Sequence, residues 1–383
     1  DHWWKDNQTK VIGGKEYVIR NDDVSDELKY YHTWKRALRE AYANVFVGPV
    51  TLTLGKQQTV WGKIDFRVID IVNPIDGRHG NFKSITDERW LRLPTWAMKG
   101  LYTFPSGNYY IETTIVPDFE NNPTNGAGHV WDLNNPKKVL INAAPGARGK
   151  IRTDEPSMNV DNWEWFFRFG FNIQGWDGFF FYGNHWGDSP RSFKQGGAYY
   201  KRYTRINSFG AAFDKMFWFL GRSMTVIYEG KLDDNAYSLS LNEGFGEMRQ
   251  KKRGNLTQAV ELDTYMLGGD MGLAFFVVQI HNFSWNRNMP GPANTPHQNH
   301  WVLAWAGSYA VSQLEDRVRF GYNGRIRPVN GDGRHQWFVS YVFSDYLTAS
   351  LNLRTWWGGN NNDIADGIMR DRDLLDLRLA YHF

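Results

Sequence analysis

The sequence predicts an all-β fold: a transmembrane, antiparallel, up-and-down β-barrel of about sixteen strands, with fourteen to eighteen as the bounds. Three observations carry this reading. Stretches of about 10 to 14 residues alternate apolar with polar side chains, longer than the roughly 5 to 6 of globular strands and long enough for a tilted bilayer crossing. Tight turns and long loops alternate between them, the pattern of bacterial outer-membrane barrels. The 18 Trp, 19 Tyr and 25 Phe among 383 residues exceed what an ordinary core uses.

In chain order, the candidate strands begin with a poor one at Thr9 to Arg20, carrying Val11 and Tyr17 to Ile19. Better ones follow at Trp34 to Val47, Val50 to Trp61, Thr95 to Phe104, Asn108 to Val116, Trp163 to Gln174 and Gly178 to Trp186. The series continues with Tyr200 to Phe213, Met216 to Glu229, Ala259 to Leu267, Met271 to His281 and Trp301 to Val311. It closes with Asp316 to Arg327, Arg334 to Phe343, Tyr346 to Trp357 and Arg372 to Phe383. The last is the clearest, since Leu375, Leu377, Leu379, Tyr381 and Phe383 alternate with Asp376, Arg378, Ala380 and His382. Trp163 to Ile173 shows the same period of two.

Short turns fall at Gly48-Pro49, Pro105 to Gly107, Gly175 to Asp177, Asp214-Lys215, Gly268 to Asp270, Ser312 to Glu315 and Ser344-Asp345. With the C-terminus on that side, Trp34 to Val47 descends, so one ascending strand must precede it; this parity is why Thr9 to Arg20 is counted as the sixteenth. Trp163, Trp301, Trp337 and Trp357 gather at long-loop ends, and Phe217, Phe343, Tyr381 and Phe383 at short-turn ends. Two aromatic levels are what interfacial anchoring produces. The alternative, a large soluble β-sandwich or propeller, would not sort aromatics by strand end.

Composition removes other classes. Lys and Arg total 44 against 41 Asp and Glu, a net charge of +3, with no basic stripe to mark a nucleic-acid partner. With no cysteine there are no disulfides, thiolate metal sites or thiol nucleophiles. Mean hydropathy is -0.56 and no run reaches the 18 or so apolar residues of a helical span. Any secretory signal peptide is expected to lie outside the sequence, which opens at Asp1 without an apolar segment.

The ending Leu379-Ala380-Tyr381-His382-Phe383 resembles the terminal β-signal read by the outer-membrane assembly machinery. Gly55 to Gly62, then Asp65, Arg67, Asp70, Asn73-Pro74 and Asp76, then Leu93 to Trp96, Val116 to Glu120 and Tyr265 to Asp270, are similar to an uncharacterised family of proteobacterial outer-membrane barrels. That family is known only as a domain of unknown function, often encoded beside RND-type exporters. The resemblance spans most of the chain after about residue 34 and implies a Gram-negative outer-membrane location, a transport role and a periplasmic exporter as a partner. It supplies no catalytic residues.

A single barrel over residues 1–383 puts its polar faces toward a water-filled lumen. The expected pore-lining residues are Lys99, Glu112, Glu164, Arg168, Glu261, Asp263, Arg317, Arg319, Arg325, Arg327, Arg354, Asp376 and Arg378, with Arg372 beside them. Four arginines on Asp316 to Arg327 form a ladder whose forked guanidinium groups suit carboxylate, sulfate or phosphate; their alternative role is pairing with lumen carboxylates that stiffen the wall. The connector 62–94 carries Asp65, Arg67, Asp70, Asp76 and Arg78 among apolar Phe66, Val68, Ile69, Ile71 and Val72, and is expected to fold inward as a constriction loop, the alternative being an external lid. The connectors Pro117 to Asn162, Gly230 to Gln258 and Gly358 to Asp371 read as exposed loops.

No metal or other cofactor is expected. Asp332, Asp363 and Asp366 lack the spacing of a calcium loop, and His281, His297 and His300 do not sit on a rigid element. Ser308, Ser340 and His335 are suitable types for a barrel enzyme, but no spacing joins them. The leading reading is therefore a passive or gated channel for small, anionic or amphipathic solutes, with membrane lipids and lipopolysaccharide around it. The competing reading is an export conduit working with a periplasmic or inner-membrane exporter, with Phe166, Phe338 and Tyr346 as a greasy slide.

Overall fold

The period-two segments of the sequence become strands that hydrogen-bond to their nearest neighbours along the chain. The computed structural model describes residues 8–12, 15–19, 38–64, 68–76, 92–122, 152–188, 191–195, 198–219, 221–241, 248–266, 270–282, 299–329, 331–358 and 373–381. In chain order the strands are β1 (Gln8–Ile12), β2 (Lys15–Ile19), β3 (Ala41–Val47), β4 (Val50–Gln57), β5 (Thr95–Thr103), β6 (Tyr109–Val116) and β7 (Arg152–Asp154). Next come β8 (Glu164–Ile173), β9 (Trp176–Trp186), β10 (Arg191–Gln195), β11 (Ala198–Arg202), β12 (Arg205–Phe219), β13 (Arg222–Leu241) and β14 (Met248–Met266). The chain ends with β15 (Met271–Asn282), β16 (Asn299–Ala310), β17 (Val318–Arg327), β18 (Asp332–Ser344), β19 (Leu347–Trp357) and β20 (Leu374–Tyr381). Among the described residues no helix is long and apolar enough to cross a membrane.

Fifteen of these strands form one all-antiparallel, up-and-down sheet running β3-β4-β5-β6-β8-β9-β12-β13-β14-β15-β16-β17-β18-β19-β20. Because the number is odd, the edge strands β3 and β20 run in the same direction. β10, β11 and β7 make a separate small sheet on the long-loop side, with β11 and β7 parallel.

Four sequence expectations are corrected. The segment Thr9 to Arg20 is not a sixteenth strand: its described residues form a separate hairpin of two five-residue arms, β1 and β2, each too short to cross a bilayer. Asp214 and Lys215 are not a turn but lie inside β12, opposite Asp177 and Trp176 of β9. Each has a partner there: Asp214 binds Lys63, and the Lys215 ammonium stands 4.9 Å from the Trp176 ring centre. The turn comes later, where Gly221 adopts φ +73°, a left-handed value that glycine takes without strain. Likewise Trp176 and Asp177 open β9 instead of closing the turn before it. Finally, Gly230 to Gln258 is mostly strand, since β13 and β14 pair on to Leu241 and Met248 across a register shift between Asp233 and Ala236. Polar residues dominate that stretch, which is why it reads as a loop.

The two faces of the sheet differ. On one, Leu375, Leu377 and Leu379 of β20 are 67%, 78% and 69% exposed, and Phe180, Phe275, Phe320 and Trp337 continue the same apolar surface. The other face carries the polar positions and a buried cluster in which Phe166, Phe179, Phe181, Ile227, Phe276 and Val278 meet Trp61, Ile64, Val68, Ile69, Ile71 and Val72. These last six belong to the segment after β4.

That packing requires a curved wall. Six residues separate Gln57, at the end of β4, from Lys63, a reach of at most about 21 Å. Yet Lys63 touches Asp177 of β9, Asp214 of β12 and the Glu229 carboxylate of β13, six strand steps away. Six steps on a flat sheet are about 29 Å. The sheet curls around the segment, as a barrel wall does.

The exposed apolar face makes a direct prediction. Leu377→Arg, in the middle of β20, should destabilise the membrane-inserted protein by about 2–4 kcal/mol in reversible denaturant titrations in bilayers. A water-exposed face would tolerate the change within about 0.5 kcal/mol.

Candidate functional site: the inner face and its inward segment

The segment after β4, described at 58–64 and 68–76, is folded largely by its own polar side chains. Asp70 Oδ1 accepts the backbone N–H groups of Trp61 at 3.1 Å and Gly62 at 2.8 Å, while Oδ2 takes the Arg92 guanidinium, Nε at 2.7 Å. Asn73 Oδ1 accepts the Thr59 N–H at 2.6 Å and its Nδ2 donates to the Leu93 carbonyl at 2.9 Å. Leu93 N–H in turn donates to the Pro74 carbonyl at 2.8 Å. The N–H groups of Thr59, Trp61, Gly62 and Leu93 are thereby satisfied without a strand of the large sheet as partner. The apolar side chains are left to face the wall.

Against the wall, Trp61 lies edge-on to Phe166 at 6.0 Å and tilted over Phe181 at 5.6 Å, and its Nε1 donates to Glu112 Oε1 at 2.8 Å. Glu112 Oε2 accepts from Arg168 at 2.8 Å, and that guanidinium stands 4.9 Å from the Phe179 ring and 5.5 Å from Trp61. Gly183 of β9 makes room for Ile71: a Cβ there would sit 2.7 Å from Ile71 Cδ1. Farther round, the fully buried Glu229 accepts the N–H groups of Lys63 and Ile64, the latter at 2.8 Å. The Lys63 ammonium ends between Asp177 and Asp214.

Burial alone would lower the Lys63 value, but its bonds to Asp177 and Asp214 outweigh this and hold the ammonium above its ordinary 10.5. Asp188, past the end of β9, is pushed from 3.8 to about 7 by burial, only partly countered by the positive charge of Lys231. Its backbone carbonyl accepts from Asn122 N–H at 2.9 Å, and Asn122 Oδ1 accepts from Ile75 N–H at 2.5 Å, so this end of the segment is tied to the same corner.

The strand alternation places Lys99, Glu112, Glu164, Arg168, Glu261, Asp263, Arg319, Arg325, Arg327, Arg354, Asp376 and Arg378 on the inner face. Arg327 pairs with Asp332, which is buried, and Arg354 donates to Gln336 Oε1 at 3.1 and 2.7 Å. Arg319 and Arg378 are exposed at the two ends of one register row, Arg319–Ser340–Ser350–Arg378. Arg317 departs from the ladder: β17 begins at Val318, and Arg317 sits in the preceding turn, 2.8 Å from Glu315. Asp70 and Asp76 lie in the inward segment, whereas Asp65, Arg67 and Arg78 fall outside the described residues, as do Arg372, His297, Asp363 and Asp366.

Among the described residues no group of three His, Asp or Glu is placed to hold a metal. Ser308 and Ser340 lie on the inner face, but His335 lies on the outer one, 4.4 Å from the Trp357 ring and bonded to the Tyr322 hydroxyl at 2.5 Å, so the three do not meet. Of the aromatics expected to form a slide, Phe166 is buried beneath Trp61, Phe338 lies across Gly321, and Tyr346 sits in the turn before β19. Sequence reasoning passed over Trp61, Lys63, Glu229, Asp177 and Asp214. The last two were absorbed into turns, and only a correct register reveals them as one inner row.

Among the described residues charge on the inner face is uneven: Glu112, Glu164, Asp177, Asp214, Glu229, Asp233, Glu261 and Asp263 outnumber Arg168 and Lys231 on β6 to β14, while Arg319, Arg325, Arg327, Arg334, Arg354 and Arg378 outnumber Asp332 and Asp376 on β17 to β20.

A curved wall of next-neighbour antiparallel strands, apolar outside, polar inside and crossed by an inward segment, defines a porin-like barrel. The chain belongs to the family described as "Protein of unknown function (DUF1302)", whose model matches residues 3–214. Solved structures similar to it include Pseudomonas aeruginosa OccK8 (OprE), at 10% identity over 83% of this chain and 76% of that one, TM-score 0.47. Acinetobacter baumannii OccAB4 is similar at 8% identity over 88% and 72%, TM-score 0.46. Escherichia coli Wzi, described as a carbohydrate-binding β-barrel involved in group 1 capsule assembly, is similar at 14% identity over 85% and 67%, TM-score 0.43. No curated protein matches the sequence.

Two measurements check the electrostatics. A carboxyl held above its ordinary value is most favourable when protonated, so the Asp188 contribution to stability is complete below pH 3.8 and lost as pH rises through about 7. Asp188→Asn should remove that decline from a pH series of unfolding midpoints. Lys63→Met, which leaves Asp177 and Asp214 facing each other, should cost about 1 kcal/mol at neutral pH, a modest figure because both carboxylates are partly exposed.

Proposed function

We propose that the protein is an outer-membrane diffusion channel for small anionic or amphipathic solutes, narrowed by the residues that follow β4, 58–64 and 68–76, which overlap the connector 62–94. The observation that carries this reading is the anchoring of Trp61, Lys63 and Ile64 across the inner face, from Glu112 on β6 to Glu229 on β13. One side of the lumen is occupied by the segment and its carboxylates. The other side presents the arginines of β17 to β20. Solute passes between them, in a field running from basic to acidic wall, with no bond made or broken.

Each part has a stated role. Arg319 and Arg378, with Ser340 and Ser350 between them, offer forked donors and hydroxyls to a carboxylate, sulfate or phosphate near the short-turn end. Arg325 and Arg334, paired across β17 and β18, repeat the positive charge higher in the wall. Glu229 and the Asp177–Lys63–Asp214 bridge hold the segment in place so that the opening has a defined width. Lipids and lipopolysaccharide cover the outer face.

Planar-bilayer recording tests this. The purified protein should conduct with an anion-selective reversal potential in a salt gradient, and Arg319→Gln with Arg378→Gln should move that potential toward zero. Lys63→Met should raise the frequency of transitions between conductance levels. A barrel that stays silent under all voltages, while correctly inserted, would instead favour the export conduit that opens on a periplasmic partner.

A further inference from the structure

Two arginines of the inner wall stand apart from their neighbours. Arg327 is held by Asp332, Arg354 by Gln336 and, in the turn before β17, Arg317 by Glu315. Arg319 and Arg378 make no hydrogen bond or ion pair with any described residue, and both are exposed. Their donors are left for water or a solute.

They also share one row. Arg319 of β17 is opposite Ser340 of β18, Ser340 is opposite Ser350 of β19, and Ser350 is opposite Arg378 of β20, so all four side chains leave one face at one level. Three strand spacings, about 14 Å, separate the two arginine backbones. The barrel wall is concave on this side, so side chains rising from it converge. No carboxylate interrupts the row. On the adjoining row lie Gly321, Phe338, Asn352 and Asp376, and on the other side Val342, Thr348 and Ala380, so the one acid beside the row is Asp376, two residues before Arg378.

The charge at each end selects the anion. One guanidinium supplies one positive charge in a fork of parallel donors, and a carboxylate returns one negative charge on two oxygens that match the fork. A phosphate monoester carries up to about two negative charges at neutral pH and would bring an uncompensated one toward Asp376. Two single charges at the ends of a row whose middle is two hydroxyls call for a solute with a carboxylate at each end.

We propose that the row Arg319–Ser340–Ser350–Arg378 is a two-point site for linear dicarboxylates, with one carboxylate on each guanidinium and the chain between them lying over the two serines. The inference rests on the channel reading given above and names the solute class within it. A monocarboxylate engages one end only, whereas a dicarboxylate of matching length makes its second contact within the same complex. Discrimination by length follows, because a chain too short to span the row touches one guanidinium at a time.

Saturation-transfer NMR on the full chain in detergent micelles, titrated in turn with succinate, adipate, suberate and hexanoate, tests it. Affinity should rise from succinate to adipate or suberate, and the better of these should exceed hexanoate by about tenfold. Arg319→Gln and Arg378→Gln, at exposed positions where no packing is lost, should each bring that dicarboxylate down to the hexanoate level while leaving hexanoate nearly unchanged. Equal affinity for hexanoate and every dicarboxylate would overturn the site. So would single variants that weaken both acids by the same factor, which is how a general positive field behaves. Planar-bilayer recording keeps the channel reading separate: a protein that binds the dicarboxylate as described yet carries no current loses the channel and keeps the site, and one that conducts without the dicarboxylate preference does the reverse.

Discussion

Glu229 is the contact on which the interior depends. Fully buried on β13, it accepts the N–H groups of Lys63 and Ile64 and so ends a crossing that begins at β4. Without it, the segment's N–H groups would face an apolar cluster with no acceptor, a cost of about 1–3 kcal/mol each. With it, Ile64, Val68, Ile69, Ile71 and Val72 pack against Phe179, Ile227, Phe276 and Val278. The wall therefore has a core, although it encloses a lumen, and its curvature over the seven strands from β4 to β13 follows from the short reach of the chain between Gln57 and Lys63.

Sorting of charge around the wall follows from the same crossing. Acidic side chains on β6 to β14 serve as acceptors for the segment, through Glu112 to Trp61, Asp177 and Asp214 to Lys63, and Glu229 to the backbone. Among the described residues no segment crosses to the arginines of β17 to β20, and Arg319 and Arg378 are exposed beside two serines. On the channel reading proposed above, the need for acceptors on one side leaves an excess of acid there and an excess of arginine opposite, a transverse field across the lumen. A separate polar chain, from Lys231 through Asp233 and Ser208 to His185 at 3.1, 2.5 and 2.9 Å, stiffens the acidic side.

Strand alternation was legible where a strand has one apolar and one polar face, as β17 and β20 do, and all fifteen strands of the large sheet overlap stretches read as strands from the sequence. Boundaries failed where a charged residue occupied a strand. Asp214 and Lys215 resemble a turn until the partners Lys63 and Trp176 are known, and those partners are distant in sequence. The polar arms of the β13–β14 hairpin look like a loop for the same reason. Arg317 went the other way: it continues the alternation of β17 but lies in the turn, where Glu315 holds it. The inner face could be read from parity, whereas Trp61, Lys63 and Glu229 required the path of the segment, which no local pattern encodes.

The parallel direction of β3 and β20 has its own consequence. A wall that closed directly between them would contain one parallel seam among antiparallel pairs, with slanted hydrogen bonds and slightly weaker pairing. All seven residues of β3 are exposed, so side-chain packing adds little at that edge. The seam is then the line along which the cylinder parts at least cost, and sideways release into the bilayer would start there.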